Sequence, residues 1–163
     1  MVYQWVVLLH IASVLGFALA HGISMGVALM LRTEREPERV RVLLDLSRVS
    51  IAPTGVFMLL VLGTGVALGF MGEWWGSLWI WATLATILVV WGAMSLLGTQ
   101  RYDEARMALG LDTVYGGRKK PTDEASSSAG LDEFLSGSQP VALTAIGVVA
   151  LILILWLMLF KPF

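Results

Sequence analysis

The chain alternates between long runs with no charged side chain and two stretches where the charges collect. No Asp, Glu, Lys or Arg occurs in residues 1–31, 50–72, 74–100 or 141–160. Within these runs apolar residues follow one another continuously, without the strict alternation of a half-buried strand. A hydrocarbon layer about 30 Å thick needs ~20 such residues in an α-helix. Four segments supply them, at about 3–31, 51–71, 78–98 and 141–160. A transmembrane barrel would alternate apolar and polar residues, whereas a helix satisfies its backbone polar groups internally. The expected fold is an all-α membrane protein: a single membrane domain, 1–163, forming a four-transmembrane-helix bundle. The first segment is too long for a signal-peptide core and has no basic region before it, so it reads as a retained span.

The positions of the cations orient the bundle. Arg32, Arg35, Arg39, Arg41 and Arg48 fall in the first connection, 32–50, and Arg101, Arg106, Arg118, Lys119 and Lys120 in the third, 99–140. Of the eleven cations only Lys161 lies elsewhere. The positive-inside rule places both connections in the cytoplasm and both termini on the outer side. The localisation that follows is a bacterial cytoplasmic (inner) membrane. Trp5, Trp74, Trp75, Trp79, Trp81 and Trp156 fall at the opposite, outer ends of the spans, where an amphipathic indole sits at headgroup level. Stacking of a quinone or other ligand is the alternative use of Trp74 and Trp75.

The first connection is not featureless. Pro37 should interrupt any continuation of the first helix. Val40, Leu43 and Leu44 share one helical face opposite Arg39, Arg41, Asp45 and Arg48, the pattern of a short helix lying on the membrane surface. Ser50 can then cap the second span, with Pro53 in its first turn. In the longer connection, 99–109 extends the third helix. The Gly116–Lys120 and Ser126–Ser128 stretches have a linker's composition, and Leu131, Phe134 and Leu135 offer one surface-attached turn.

Composition narrows the function classes. The chain is 57% hydrophobic and 14% charged with a net charge of -1, which suits a lipid-embedded protein and gives a nucleic acid nothing to bind. The absence of cysteine removes disulfides, thiolate nucleophiles and cysteine-held metals. No P-loop, GxSxG or HExxH motif is present. Without charged residues at membrane depth, and without an internal repeat, ion-coupled transport has no obvious machinery.

Two histidines remain inside the spans, His10 and His21. An ionisable residue at membrane depth is a functional candidate by default. Eleven residues of helix bring both to nearly one face, about 16 Å apart along the axis. That separation prevents both from serving as axial ligands of one haem. Each can offer a ligand to a separate group, or donate to a hydroxyl on a neighbouring helix, with Thr54, Thr64 and Thr83 among the possible acceptors. Met58 and Met94 fall nearer His21 than His10 in an up-and-down bundle. Imidazole and thioether together suit haem iron or Cu(I), so the candidate cofactor and metal residues are His10, His21, Met94 and Met58. Glycine supplies the packing signal. Gly22/Gly26 and Gly65/Gly69 are GxxxG pairs, and Gly16, Ala20 and Ser24 form a small-residue ridge. Such a ridge allows close helix approach in lipid and is expected to seat the first helix on the second.

The opening Trp5-Val6-Val7-Leu8-Leu9-His10-Ile11-Ala12, followed by Gly16, resembles a group of small bacterial integral membrane proteins. That group includes the copper-resistance protein D-like family and the HemJ-type protoporphyrinogen oxidases. The resemblance implies haem b at the first-helix histidine, carried here by His10. The intramembrane lysine of the HemJ-type pattern has no counterpart, so the oxidase activity does not carry over, and whether the chain is an enzyme stays open. The first expectation is a haem b-binding, cytochrome-like subunit taking part in electron transfer through His10 and/or His21. The second is a non-catalytic accessory or assembly subunit, packed against other membrane subunits or a second copy. The third is copper handling.

Overall fold

The computed structural model describes residues 1–112 and 139–162, and these are helical except at short turns. Helix α1 spans Val2–Leu31, α2 Pro37–Met71, α3 Leu78–Ala108 and α4 Gln139–Phe160, with a 3-10 turn at Trp74–Gly76. All four helices are long and apolar enough to cross a membrane. They run up and down. The start of α1, the end of α2, the start of α3 and the end of α4 meet at one end, the tryptophan end, where Tyr3, Leu68, Trp79 and Met158 line a common cavity. The opposite end carries the basic connections. Most of the packing lies within two pairs, α1 with α2 and α3 with α4, and the pairs meet along a sparser seam.

The α1–α2 register is set by three cross-contacts. His10 meets Thr64, Gly16 faces Phe57, and the Ser24 hydroxyl meets that of Ser50. A Cβ on Gly16 would stand 2.3 Å from the Phe57 ring, so only glycine permits this approach. The Gly16–Ala20–Ser24 ridge therefore seats α1 on α2, as expected. Gly22 and Gly26 do not take part, since nothing lies within 4 Å of a Cβ built on either.

The first connection differs from the expected surface helix and separate span. Pro37 does start a helix, preceded by Glu36 in the extended conformation that a following proline favours. That helix then runs without a break to Met71, through both Ser50 and Pro53. Ser50 is not a cap; its hydroxyl donates to the Ser47 carbonyl. Proline inside a helix removes one backbone bond, but α1 holds α2 on both sides of Pro53, through Ser24–Ser50 and Gly16–Phe57. Nor does the apolar face of 38–49 lie on a membrane surface. Val40, Leu43 and Leu44 are buried with Val27 and Leu31 of α1 and Ala105 of α3, and Tyr102, Leu109 and Leu111 pack around them. Helix α3 extends past its span to Ala108, which places Ala105 in this cluster. The glycine- and serine-rich stretches and the turn at Leu131, Phe134 and Leu135 lie outside the described residues.

Arg106 closes the basic end. Its side chain is 1% exposed, and it donates to the Leu44 carbonyl at 2.8 Å, to Asp45 Oδ1 at 2.9 Å and to the Asp112 carbonyl. A guanidinium suits this position because its planar fork can serve three acceptors at once. Burial pushes the Tyr102 phenol up to about 12, against a hydrogen bond to Ser47 that lowers it.

At the tryptophan end the chain reverses within six residues. Gly72 N–H closes on the Leu68 carbonyl, and Glu73 takes a left-handed conformation at φ 55°. The Trp74 indole folds back so closely that a Cβ on Gly72 would meet it at 2.5 Å.

Candidate functional site

The structure puts the two histidines in different surroundings. His10 faces α2. Its Nδ1 lies 2.8 Å from Thr64 Oγ1, and a Cβ on Gly65 would stand 3.4 Å from its Cε1. Thr64 commits its own proton to the Leu60 carbonyl, so its oxygen is left to accept from Nδ1–H. A neutral imidazole with hydrogen on Nδ1 keeps the lone pair of Nε2. This is how a ligating histidine is usually oriented, one nitrogen anchored and the other presented.

His10 also lines a cavity of about 220 Å³ between the helix pairs at the tryptophan end. Its walls are apolar and aromatic, with Trp74, Trp75, Trp79 and Ile80 from the turn and α3, and Val61 and Gly65 from α2. Lys161 stands at its rim. The backbone there is left-handed (φ 45°) and its N–H closes on the Leu157 carbonyl. Lys161 Nζ sits 4.0 Å above the Trp74 ring and 5.5 Å from that of Trp79, a cation–π arrangement. The Trp75 indole N–H is buried without an acceptor among the described residues. One cavity thus joins the His10 imidazole, flat apolar walls and a cation.

His21 lies toward the basic end and has no hydrogen-bond partner among the described residues. Its ring stacks on Phe17, centroids 5.4 Å apart and planes 11° from parallel. It reaches across the seam to Gly147 of α4. A Cβ there would meet His21 Nε2 at 3.3 Å, the Met94 methyl at 3.1 Å and the Met25 methyl at 3.5 Å. Met94 is thus brought beside His21. The α1–α2 register, with Gly16 against Phe57, sets Met58 near the level of Gly16, about 7 Å along the axis from His21.

Two participants have no place in the reading of the sequence, Gly147 and, as a rim cation, Lys161, and Met25 falls on the histidines' face there without a role. Met25 stands four residues after His21, on the same helical face. That spacing is visible in the sequence, but only the arrival of α4 gives it meaning. Among the described residues no group of three or more His, Cys, Asp or Glu side chains is arranged to hold a metal ion. Compared with protein-family models, curated proteins and solved structures, the chain matches none.

Proposed function

We propose that this chain is an integral membrane haem b-binding protein, cytochrome-like, that takes part in electron transfer with His10 as the iron ligand. The observation that carries this reading is the cavity at the tryptophan end, which His10 and Lys161 both line. Haem b is a flat apolar ring with a metal at its centre and two carboxylates at one edge. The cavity supplies the matching chemistry: an imidazole, aromatic walls, and a lysine for the acids. Bound there, haem supplies reversible one-electron chemistry.

The chain's own residues do the rest. Thr64 fixes the His10 ring and leaves Nε2 free, the tryptophans exclude water, and Lys161 offsets negative charge at the rim. A site of about 220 Å³ is below the roughly 300–1,000 Å³ of typical ligand pockets. Haem uptake therefore requires the seam to widen at this end. The sparse packing between the helix pairs supports that movement.

The test is a reduced-minus-oxidised visible spectrum of protein purified from haem-replete cells. An α-band and a Soret shift are expected, and both should vanish in His10→Phe while surviving in His21→Phe. A featureless spectrum from the parent protein sinks the reading. The orientation that goes with it places the basic end in the cytoplasm and both termini outside, in a bacterial inner membrane.

A second reading, a non-catalytic accessory or assembly subunit, is favoured by the Gly22/Gly26 pair. Among the described residues nothing lies within 4 Å of a Cβ built on either glycine, which leaves room on α1 for a GxxxG contact with another subunit or a second copy. Gly22→Leu with Gly26→Leu should then abolish co-purification of that partner without changing the spectrum. A spectrum lost together with the partner would unite the two readings.

A further inference from the structure

We infer that His21, Met25 and Met94 form a Cu(I) site at the point where α4 crosses the seam. This site is separate from the His10 cavity and does not rest on the haem reading. Three side chains from two helices converge on Gly147, with His21 Nε2 and both methionine methyl groups within 3.5 Å of the position its Cβ would take. Each thioether sulfur is one bond from its methyl group, and the unbranched methionine side chain turns easily. Rotation of Met25 and Met94 about their side-chain bonds would turn the sulfurs toward Nε2. The histidine itself is already held in place by its stack on Phe17.

The donor chemistry selects the ion. All three donors are neutral, and two are soft sulfurs. Calcium and magnesium take oxygen ligands, and no carboxylate lies in the charge-free stretches that carry these residues. Zinc sites use thiolate, imidazole and carboxylate, of which only a single imidazole is present. Thioether and imidazole in an apolar pocket suit monovalent copper. A single positive charge is also the least costly for a site inside lipid. Gly147 has a defined part in this arrangement. Any side chain there would occupy the convergence point, and even an alanine Cβ would stand 3.1 Å from the Met94 methyl.

The test is an anaerobic titration of the purified full chain with Cu(I) against bathocuproine disulfonate. The parent protein should retain one equivalent. His21→Phe and Met94→Leu should each weaken retention by at least about tenfold, Met25→Leu by less, and His10→Phe not at all. Gly147→Ala should weaken it while leaving the visible spectrum of the His10 site unchanged. Far-UV circular dichroism and gel filtration confirm that each variant is folded. Copper-edge X-ray absorption on the parent protein gives a reading that needs no variant, and sulfur together with nitrogen scattering is expected. The inference is overturned if the parent retains no more Cu(I) than the His21→Phe/Met94→Leu double variant, if His10→Phe loses as much as His21→Phe, or if the absorption spectrum contains no sulfur. None of these outcomes alters the haem test, because that signal depends on His10.

Discussion

The two ends of the bundle are held together by different physics. At the basic end the helices run on beyond their apolar spans, so Val40, Leu43 and Leu44 bury their side chains against Val27, Leu31 and Ala105 much as a small water-soluble core does. There the hydrophobic effect contributes about 1.5–3 kcal/mol for each large apolar side chain removed from water. Arg106 then ties α3 to α2 by charged hydrogen bonds. At the tryptophan end the helices lie in lipid, where burying apolar surface drives nothing. Close approach at glycine, indole packing and a few hydroxyl bonds remain, and they leave a cavity. A bundle clamped at one end and loosely packed at the other can admit a ligand between its helix pairs without coming apart. The His10 cavity lies at the loose end, and the His21 cluster lies on the seam between it and the clamp.

The largest effect should come from breaking the clamp. Arg106→Leu leaves the Leu44 and Asp112 carbonyls without their donor and should cost about 3 kcal/mol. The readout is a lower thermal unfolding midpoint in detergent. An unchanged midpoint would show that the apolar cluster holds this end alone.

At the other end, Thr64→Val keeps the shape of the side chain but removes the acceptor that orients His10. Losing such an outer-shell partner typically costs about 10- to 100-fold in affinity. Haem retention during purification should fall accordingly while the unfolding midpoint moves little. If retention is unaffected, the His10–Thr64 bond does not prepare a ligand.

Gly16→Ala tests the close packing between the ends. The added methyl collides with Phe57, and overpacking of this kind costs about 1–3 kcal/mol. Combining it with Phe57→Leu should recover most of the loss. No recovery would mean that the contact does not set the α1–α2 spacing.

The Tyr102 phenol predicts a pH dependence for the basic end only. Its pKa is raised by folding from about 10 in an unfolded chain to about 12, so folding favours the neutral phenol. The stabilisation is complete below pH 10 and is lost as pH climbs from about 10 through about 12. The unfolding midpoint should fall more steeply over that window in the parent than in Tyr102→Phe. Identical slopes would refute the assignment.

The smallest effect is expected at the rim. Lys161→Gln removes a cation from above Trp74 at an exposed position, worth about 0.5–1 kcal/mol. It should change the tryptophan emission and lower haem retention a few-fold. A change in emission with no change in retention would separate the cation–π contact from the ligand.

Much of this was legible in the residues and some of it could not be. Four charge-free runs dictated four long apolar helices, because lipid leaves a backbone few alternatives. The Gly16–Ala20–Ser24 ridge marked the face of α1 that meets α2, since only small side chains let helices approach that closely. His10 and His21 stood out as the only histidines in otherwise uncharged spans. The face of Val40, Leu43 and Leu44 was visible too, but its period is the same whether the face meets headgroups or another helix. Only the neighbouring ends of α1 and α3 decided that it is buried in protein. The run from Pro37 through Pro53 to Met71 depended likewise on α1 bracketing the proline, a support no local rule contains. Arg106 counted in the sequence as one basic residue among eleven, and folding made it a buried clamp. The divergence of the two histidines has the same origin. Their eleven-residue spacing determined that they share a face, but what each one meets depends on which helix crosses that face at its depth. Thr64 stands opposite His10, and Gly147 with Met94 opposite His21. Such contacts join residues distant in the chain, so they exist only once the helices have packed.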